Sequence, residues 1–303
     1  LTRIFSPSTS GQARLRLKKL VVVGVGLIGG SAAAALKRAQ AVDRVVGVGR
    51  GRANLARALE LGVIDEAVED PATAAQGAEA VLIAVPVRQT RAVLEKLAPA
   101  ARAGVTITDA GSTKRDFVAA VREVIGARAP GVVPAHPIAG AELTGVDAAA
   151  ATLFEGRRVV LTPLPESDPR AIALVESMWS ACGAKVTRMS AEHHDEVFSA
   201  VSHLPHVLAY TLVDLIASRD DAEELFSFAA SGFRDFTRIA GSSPEMWRDI
   251  CVANRDRIAA DLDAFQRALA EVSRQVKEGD AEGLKRLFGA ARAAREAWLK
   301  RTA

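Results

Sequence analysis

The sequence is short of several things that specialised proteins are built from. It has two cysteines, Cys182 and Cys251, far apart and at no metal-ligand spacing, so it reads as neither a disulfide framework nor a zinc module. They are expected to be buried thiols in a reducing cytoplasm. Aromatic residues make up 5%, the net charge is only +3, and no basic cluster is interleaved with rings. Those absences speak against a nucleic-acid partner. No apolar run is expected to reach the ~18 residues of a membrane span. The longest candidate, residues 20–30, is broken by glycines. Residues 1–19 carry Arg, Ser and Pro but no apolar core, so they read as an N-terminal arm and not an export signal. There is no internal repeat. Hydrophobic residues make up 49% and charged residues 25% of 303, enough for two domains with ample cores.

The first half alternates strand and helix signals. Residues 20–23 are an apolar, β-branched run of the kind found in buried parallel strands. Gly24-Val25-Gly26-Leu27-Ile28-Gly29 follows at once and opens an alanine-rich helix over 27–39. This is GxGxxG between a strand and a helix. Gly24 allows the tight turn, Gly26 the approach of a pyrophosphate, and Gly29 close helix–strand packing. Leu27 and Ile28 begin the helix, whose N–H groups and dipole face the phosphates. A second strand over 44–48 ends in Gly49-Arg50-Gly51-Arg52, with no carboxylate for a ribose hydroxyl. Arginines there suit a 2′-phosphate, so NADP is favoured over NAD.

Further strands are expected at 80–85, ending at Pro86; at 105–109, ending at Asp109 and followed by Ser112; at 131–135, ending at His136; and at 158–162 and 185–189. The alternation implies an α/β fold with a doubly wound, mostly parallel sheet. Ligands bind beyond the carboxyl ends of such strands. Gly24, Arg50, Pro86, Ser112 and His136 all fall at that edge, and Pro137 stiffens the turn after His136.

Strand signals stop at residue 191. Helices are expected over 192–218, interrupted by Pro205, and over 221–232, 244–272 and 280–300. Ser243 before Pro244 reads as an N-cap. His203 and His206 lie three apart on one helix face. With His193 or His194 they lack the cysteines or paired carboxylates of a zinc site, so no metal is expected. Arg238, between Phe236 and Ile239, is expected to be partly buried and to need an anionic partner. Tyr210 stands one turn beyond His206. Trp179 and Trp298 read as packing residues. Glu142 is left open between a solvated carboxylate and a support for the site. The expected division is an arm over 1–19, a dinucleotide-binding domain over 20–190 and a helical substrate and dimerisation domain over 191–303. The chain ends soon after the last helix, leaving no expected room for an appended regulatory domain.

Six stretches together resemble the prephenate and arogenate dehydrogenases of tyrosine biosynthesis: GVGLIGGS (24–31), DAGSTK (109–114), HPIAGAELTGV (136–146), LFEGRRVVLTP (153–163), SHLPHVLA (202–209) and GFRDFTRIAGSSPEMWRDI (232–250). They stand in family order and span most of the chain after residue 19. The resemblance implies a Rossmann-type domain followed by an all-helical dimerisation domain, working as a cytoplasmic homodimer. It implies NAD(P)-dependent oxidative decarboxylation of a small cyclohexadienyl acid, prephenate first and arogenate as the alternative. It maps the general base onto His136 and its hydrogen-bonding serine onto Ser112. It maps substrate contacts onto His206, His203, Arg238 and Trp247, the last expected to line the pocket from across a dimer, and cofactor contacts onto the glycine loop, Arg50, Pro86 and Asp109. The residue types suit the chemistry. A base with a pKa near the working pH takes a hydroxyl proton as hydride leaves, and a forked guanidinium anchors a carboxylate. Two other readings fit the residues less well. A β-hydroxyacid dehydrogenase would use a lysine base, and a non-catalytic nicotinamide sensor would not need Ser112, His136 and Arg238 together.

Overall fold

The computed structural model describes residues 15–126, 129–140 and 144–302. Glu142 and most of the N-terminal arm lie outside the described residues.

The first half is β1 (Leu20–Val23), α1 (Leu27–Arg38), β2 (Val45–Val48), α2 (Arg52–Glu60), β3 (Glu66–Val68), α3 (Pro71–Ala74), β4 (Ala80–Ile83), α4 (Thr90–Arg102), β5 (Thr106–Asp109) and α5 (Arg115–Val124). The five strands form one parallel sheet in the order β3-β2-β1-β4-β5. Strands β1, β2, β4 and β5 are buried along their length, as strands covered by helices on both faces must be. The order reverses between β1 and β4, and the glycine loop lies at that switch point. Strand β3 went unread because Glu66-Ala67-Val68 carries little β signal and is only partly buried.

Next come β6 (Ala135–Pro137), β7 (Arg158–Leu161), α6 (Pro169–Ala181) and β8 (Lys185–Arg188). They build a second, three-stranded sheet in the order β6-β7-β8, with β6 antiparallel to β7. The expected strand over 131–135 is thus displaced. Val132 makes only an isolated parallel bridge to Ile107 on β5, with Ile107 N–H on Gly131 O at 2.8 Å and Val133 N–H on Ile107 O at 2.9 Å. Pro134 has no N–H with which to continue that ladder. The strand resumes past it as β6, so His136 stands inside a strand, opposite Val160.

The helical half is α7 (Ala191–Phe198), a π turn over Ser199–His203, α8 (Leu204–Ala217), α9 (Ala222–Ser227), α10 (Ser231–Thr237), α11 (Pro244–Ala253), α12 (Arg255–Glu278) and α13 (Ala281–Thr302). Pro205 does not break the first rod. The turn before it widens, with Leu204 N–H on Ser199 O. The helix expected over 221–232 is two pieces with a break after Ser227, and that expected over 244–272 is divided at Asn254. Ser243 caps α11, accepting from Met246 N–H at 3.3 Å. The rod Ala191–Ala217, of mean hydropathy 1.3, is long and apolar enough to cross a membrane by length and composition alone. That corrects the expectation that no stretch would be. The rod also carries His194, Asp195, His203 and His206, which face the site described next.

Candidate active site

Two glycines shape the cofactor side. Gly24 has φ +97°, and a Cβ there would stand 2.3 Å from Ala84 O; a Cβ on Gly29 would stand 2.1 Å from Gly24 O. Only a chain without side chains at both positions can fold β1 onto α1 this tightly. Helix α1 starts at Gly26 with no side-chain cap and no acidic residue in its first turn, so its first N–H groups remain available to an anion. A cleft of about 690 Å³ beside it is lined by Gly24, Gly26, Arg50, Glu69 and Pro86, among others. A second, of about 350 Å³, continues past Leu27, Ile28 and Pro86 to Ser112 and to Ser242 and Met246 of the helical half. The glycine cradle, the uncapped helix and the paired clefts fit a dinucleotide.

Two of the expected cofactor contacts are placed differently. Arg52 pairs with Glu69 at 2.9 Å, so a carboxylate does face the cleft, brought by the loop after β3. Arg50 remains exposed at the cleft. Asp109 is 2% exposed, and its carboxylate is taken up by protein: Lys114 Nζ, Gly111 N–H at 2.9 Å and Ala135 N–H at 3.0 Å. It lines neither cleft. Lys114, itself fully buried, donates also to Ala135 O at 2.6 Å. This ion pair ties the end of β5 to the residue before His136.

His136 is half-buried, with its Nδ1 2.8 Å from His194 Nε2; His194 Nδ1 lies 2.8 Å from Asp195 Oδ1. Burial pushes His136 well below the ordinary histidine range, and the positive sides of His194, Lys114 and His203 push the same way. His194 is also lowered by burial, against the pull of Asp195. For Asp195 burial works upward, but the bonds from His194 and from the N–H groups of Arg115 and Lys114 outweigh it and hold the carboxyl below its usual value. The bonded partner of His136 among the described residues is therefore His194. Ser112, expected in that place, lines the second cleft without a bond to His136.

His203 is buried, with Nδ1 3.2 Å from the Asn254 amide, which also donates to Asp195 O at 2.8 Å. Desolvation pushes His203 down to about 4. His206 donates from Nδ1 to Ser202 O at 2.8 Å and stacks on Trp247 of its own chain, ring centroids 3.6 Å apart. Trp247 is buried, with no hydrogen-bond partner for Nε1 among the described residues. Burial and then the charge of Arg238 lower His206, which sets Arg238 near that ring. Arg238 is exposed on this chain and Phe236 is 53% exposed, so the partial burial expected from its neighbours is not found. Tyr210 reaches the second cleft's rim, donating to Ser242 O at 2.6 Å.

His194, Asp195, Lys114 and Asn254 join the bonded network around His136 without standing out as site residues in the sequence. The adjacent His194-Asp195 pair near a helix start was the available signal for two of them. Among the described residues no group of three His, Cys, Asp or Glu side chains is arranged to hold a metal ion.

Known proteins resemble most of the chain. The family model described as prephenate dehydrogenase, nucleotide-binding domain matches residues 32–188, and that described as prephenate dehydrogenase, dimerization domain matches 190–290. A prephenate dehydrogenase of Bacillus subtilis is 38% identical over 90% of this chain and 74% of its own length. A cyclohexadienyl dehydrogenase of Zymomonas mobilis is 36% identical over 92% and 95%. Among solved structures, a prephenate dehydrogenase from A. aeolicus, in complex with hydroxyphenyl propionate and NAD+, superposes with a TM-score of 0.85 at 35% identity, covering 92% of this chain and 98% of that one.

Proposed function

Because this chain belongs to the prephenate dehydrogenase family, we propose that it is the oxidoreductase that converts prephenate to 4-hydroxyphenylpyruvate, carbon dioxide and a reduced nicotinamide in tyrosine biosynthesis. The cofactor, when bound, accepts hydride from the ring carbon that bears the hydroxyl. His136 takes the hydroxyl proton at Nε2, since its Nδ1 is engaged by His194. The bond to the ring carboxylate then breaks, its electron pair aromatises the ring, and the proton returns to the phenolate oxygen. His206, stacked on Trp247, and Arg238 hold the substrate's side chain and carboxylate, with His203 behind them; Ser112 faces the hydroxyl from the cleft. The observation that carries this reading is the tie from the loop after β5, whose Gly111 and Ser112 line the second cleft, to the base. Lys114, two residues after Ser112, donates to the carbonyl of Ala135, next to His136.

The cofactor reading includes a preference for NADP over NAD and rests on Arg50, because Arg52 is engaged by Glu69. The relative in A. aeolicus was solved with NAD+, which supports use of that cofactor too. Arogenate is the second substrate reading, favoured by the likeness to a cyclohexadienyl dehydrogenase along nearly its full length. The enzyme works in the cytoplasm, where Cys182 and Cys251 stay free thiols, and as a homodimer through residues 191–303. One experiment tests the core of this: initial rates, by reduced-nicotinamide absorbance, with prephenate and arogenate each paired with NAD and NADP. The highest kcat/KM is expected for prephenate with NADP. No turnover in any of the four combinations would overturn the function, and a higher value with NAD would overturn the role of Arg50.

A further inference from the structure

Two side chains stand in line behind the base. Asp195 and His194 are fully buried, and each contact along Asp195 Oδ1, His194 and His136 Nδ1 is 2.8 Å. Asp195 is also held by two backbone donors at the start of α5, Lys114 N–H at 2.8 Å and Arg115 N–H at 2.9 Å, with the Arg115 guanidinium 3.8 Å away. A carboxylate so supplied with donors is ionised and only accepts. His194 must therefore carry its hydrogen on Nδ1, which leaves Nε2 as a lone pair. A 2.8 Å contact from that lone pair to His136 Nδ1 is a hydrogen bond only if His136 carries its own hydrogen there. One tautomer of the base follows: Nδ1–H, with Nε2 bare toward the substrate side.

We propose that His194 and Asp195 are positioning residues for the dehydrogenase reaction: the Asp195 carboxylate, acting through the His194 ring, fixes His136 as a hydrogen-bond acceptor at Nε2. This rests on the function proposed above. In the opposite tautomer His136 would present N–H to the substrate hydroxyl and could not take its proton. Other catalytic sites use a buried carboxylate to orient a histidine directly; here a second imidazole stands between. The same chain favours the imidazolium that forms when Nε2 gains a proton, because the negative end lies two rings away.

The surroundings leave these rings little alternative. Phe198 closes the other side, its ring 4.5 Å from His194 and 5.0 Å from His136. The titratable and charged groups facing His136 are His194, His203 and Lys114, the last neutralised by Asp109; those facing His194 are Lys114, Asp195 and Asp116. Asp195 is held within the helical half as well, since its carbonyl accepts from Asn254, and Arg115 of α5 forms a two-point pair with Asp256 of α12 at 2.8 Å.

The test has one arm that needs no turnover. Nitrogen-15 histidine labelling and long-range 1H–15N correlation at neutral pH report the tautomer of each ring. Wild type is expected to show hydrogen on Nδ1 of both His136 and His194, and Asp195→Asn to convert His136 to a mixture. In the kinetic arm, His194→Leu removes the acceptor behind His136, whereas His194→Gln supplies an amide oxygen. The Leu variant is expected to lose ~100-fold or more in kcat with KM nearly unchanged, and the Gln variant to recover ~10-fold of that. Asp195→Asn should also move the acid limb of kcat to lower pH, because the imidazolium loses its counter-charge. His136 protonated on Nε2 in the wild type, or Gln no better than Leu, would overturn the proposal. A wild type inert toward both cyclohexadienyl acids would remove the reaction, while the ring tautomers would still decide the chain.

Discussion

At the scale of single residues, the proposed base was legible and the side chains bonded to it were not. His136 could be read because a histidine and a proline at a strand end are a local pattern. The adjacency of His194 and Asp195 offers a weak signal, but their bonding to His136 could not be read, because a buried polar chain is a property of three elements meeting: β6, α7 and the start of α5. His136→Asn is expected to cut kcat by ~10²–10⁴ with cofactor affinity unchanged. Single-turnover rates and cofactor titration check it, and a fall in cofactor affinity alone would contradict the base role. The histidines also make a pH prediction. His203 is pushed down to about 4, and His136 and His194 are lowered from 6.5. Above 6.5 they are neutral whether the chain is folded or not. As pH falls from 6.5 toward 4, the unfolded chain binds protons that the folded one refuses, so stability falls. His203 alone is worth about 3 kcal/mol across that window. Urea midpoints should be clearly lower near pH 5 than near pH 7, and equal midpoints would show that these rings titrate normally.

At the scale of elements, the Val-rich strands and the glycine loop followed from pattern, because buried parallel strands read as apolar runs whatever surrounds them. Strand β3 and the breaks in the helical half did not. Asn254 interrupts α11 and α12 without the Gly or Pro that usually marks an end, and its amide is held instead by Asp195 and His203, distant in sequence. Pro134 was read inside a strand although it can only displace one. The loop that was legible is also the least tolerant. Gly24→Ala would bring a methyl to 2.3 Å from Ala84 O at φ +97°, so cofactor affinity is expected to drop ~10-fold or more, with stability lowered by about 1–3 kcal/mol. Fluorescence titration and thermal unfolding measure both, and wild-type values for both would mean that the turn relaxes.

At the scale of the molecule, the two halves present different surfaces. Fourteen of the sixteen large hydrophobic side chains exposed among the described residues belong to residues 191–303, including Val201, Leu215, Phe228, Leu269, Val276 and Trp298. Trp179 packs at 1% exposed as expected, but Trp298 is 55% exposed. Apolar area of this extent suits a partner, in keeping with the match of residues 190–290 to a dimerization domain and with the homodimer proposed above. Sedimentation is expected to give a dimer at micromolar concentration, and Leu269→Glu with Val276→Glu to shift it toward monomer. A wild type that sediments as a monomer would overturn the homodimer.

The π turn over Ser199–His203 has a consequence for helix phase. His194 and His206 are twelve positions apart, which in an unbroken α-helix would leave them about 120° apart around the axis. A wide turn that absorbs one residue reduces this to about 20°, so that His194, bonded to His136, and His206, stacked on Trp247, look the same way. The count of residues in this rod is therefore as constrained as their identity. Removing one between Phe198 and Leu204 would swing His206 and Tyr210 by about 100° while leaving every side chain chemically intact.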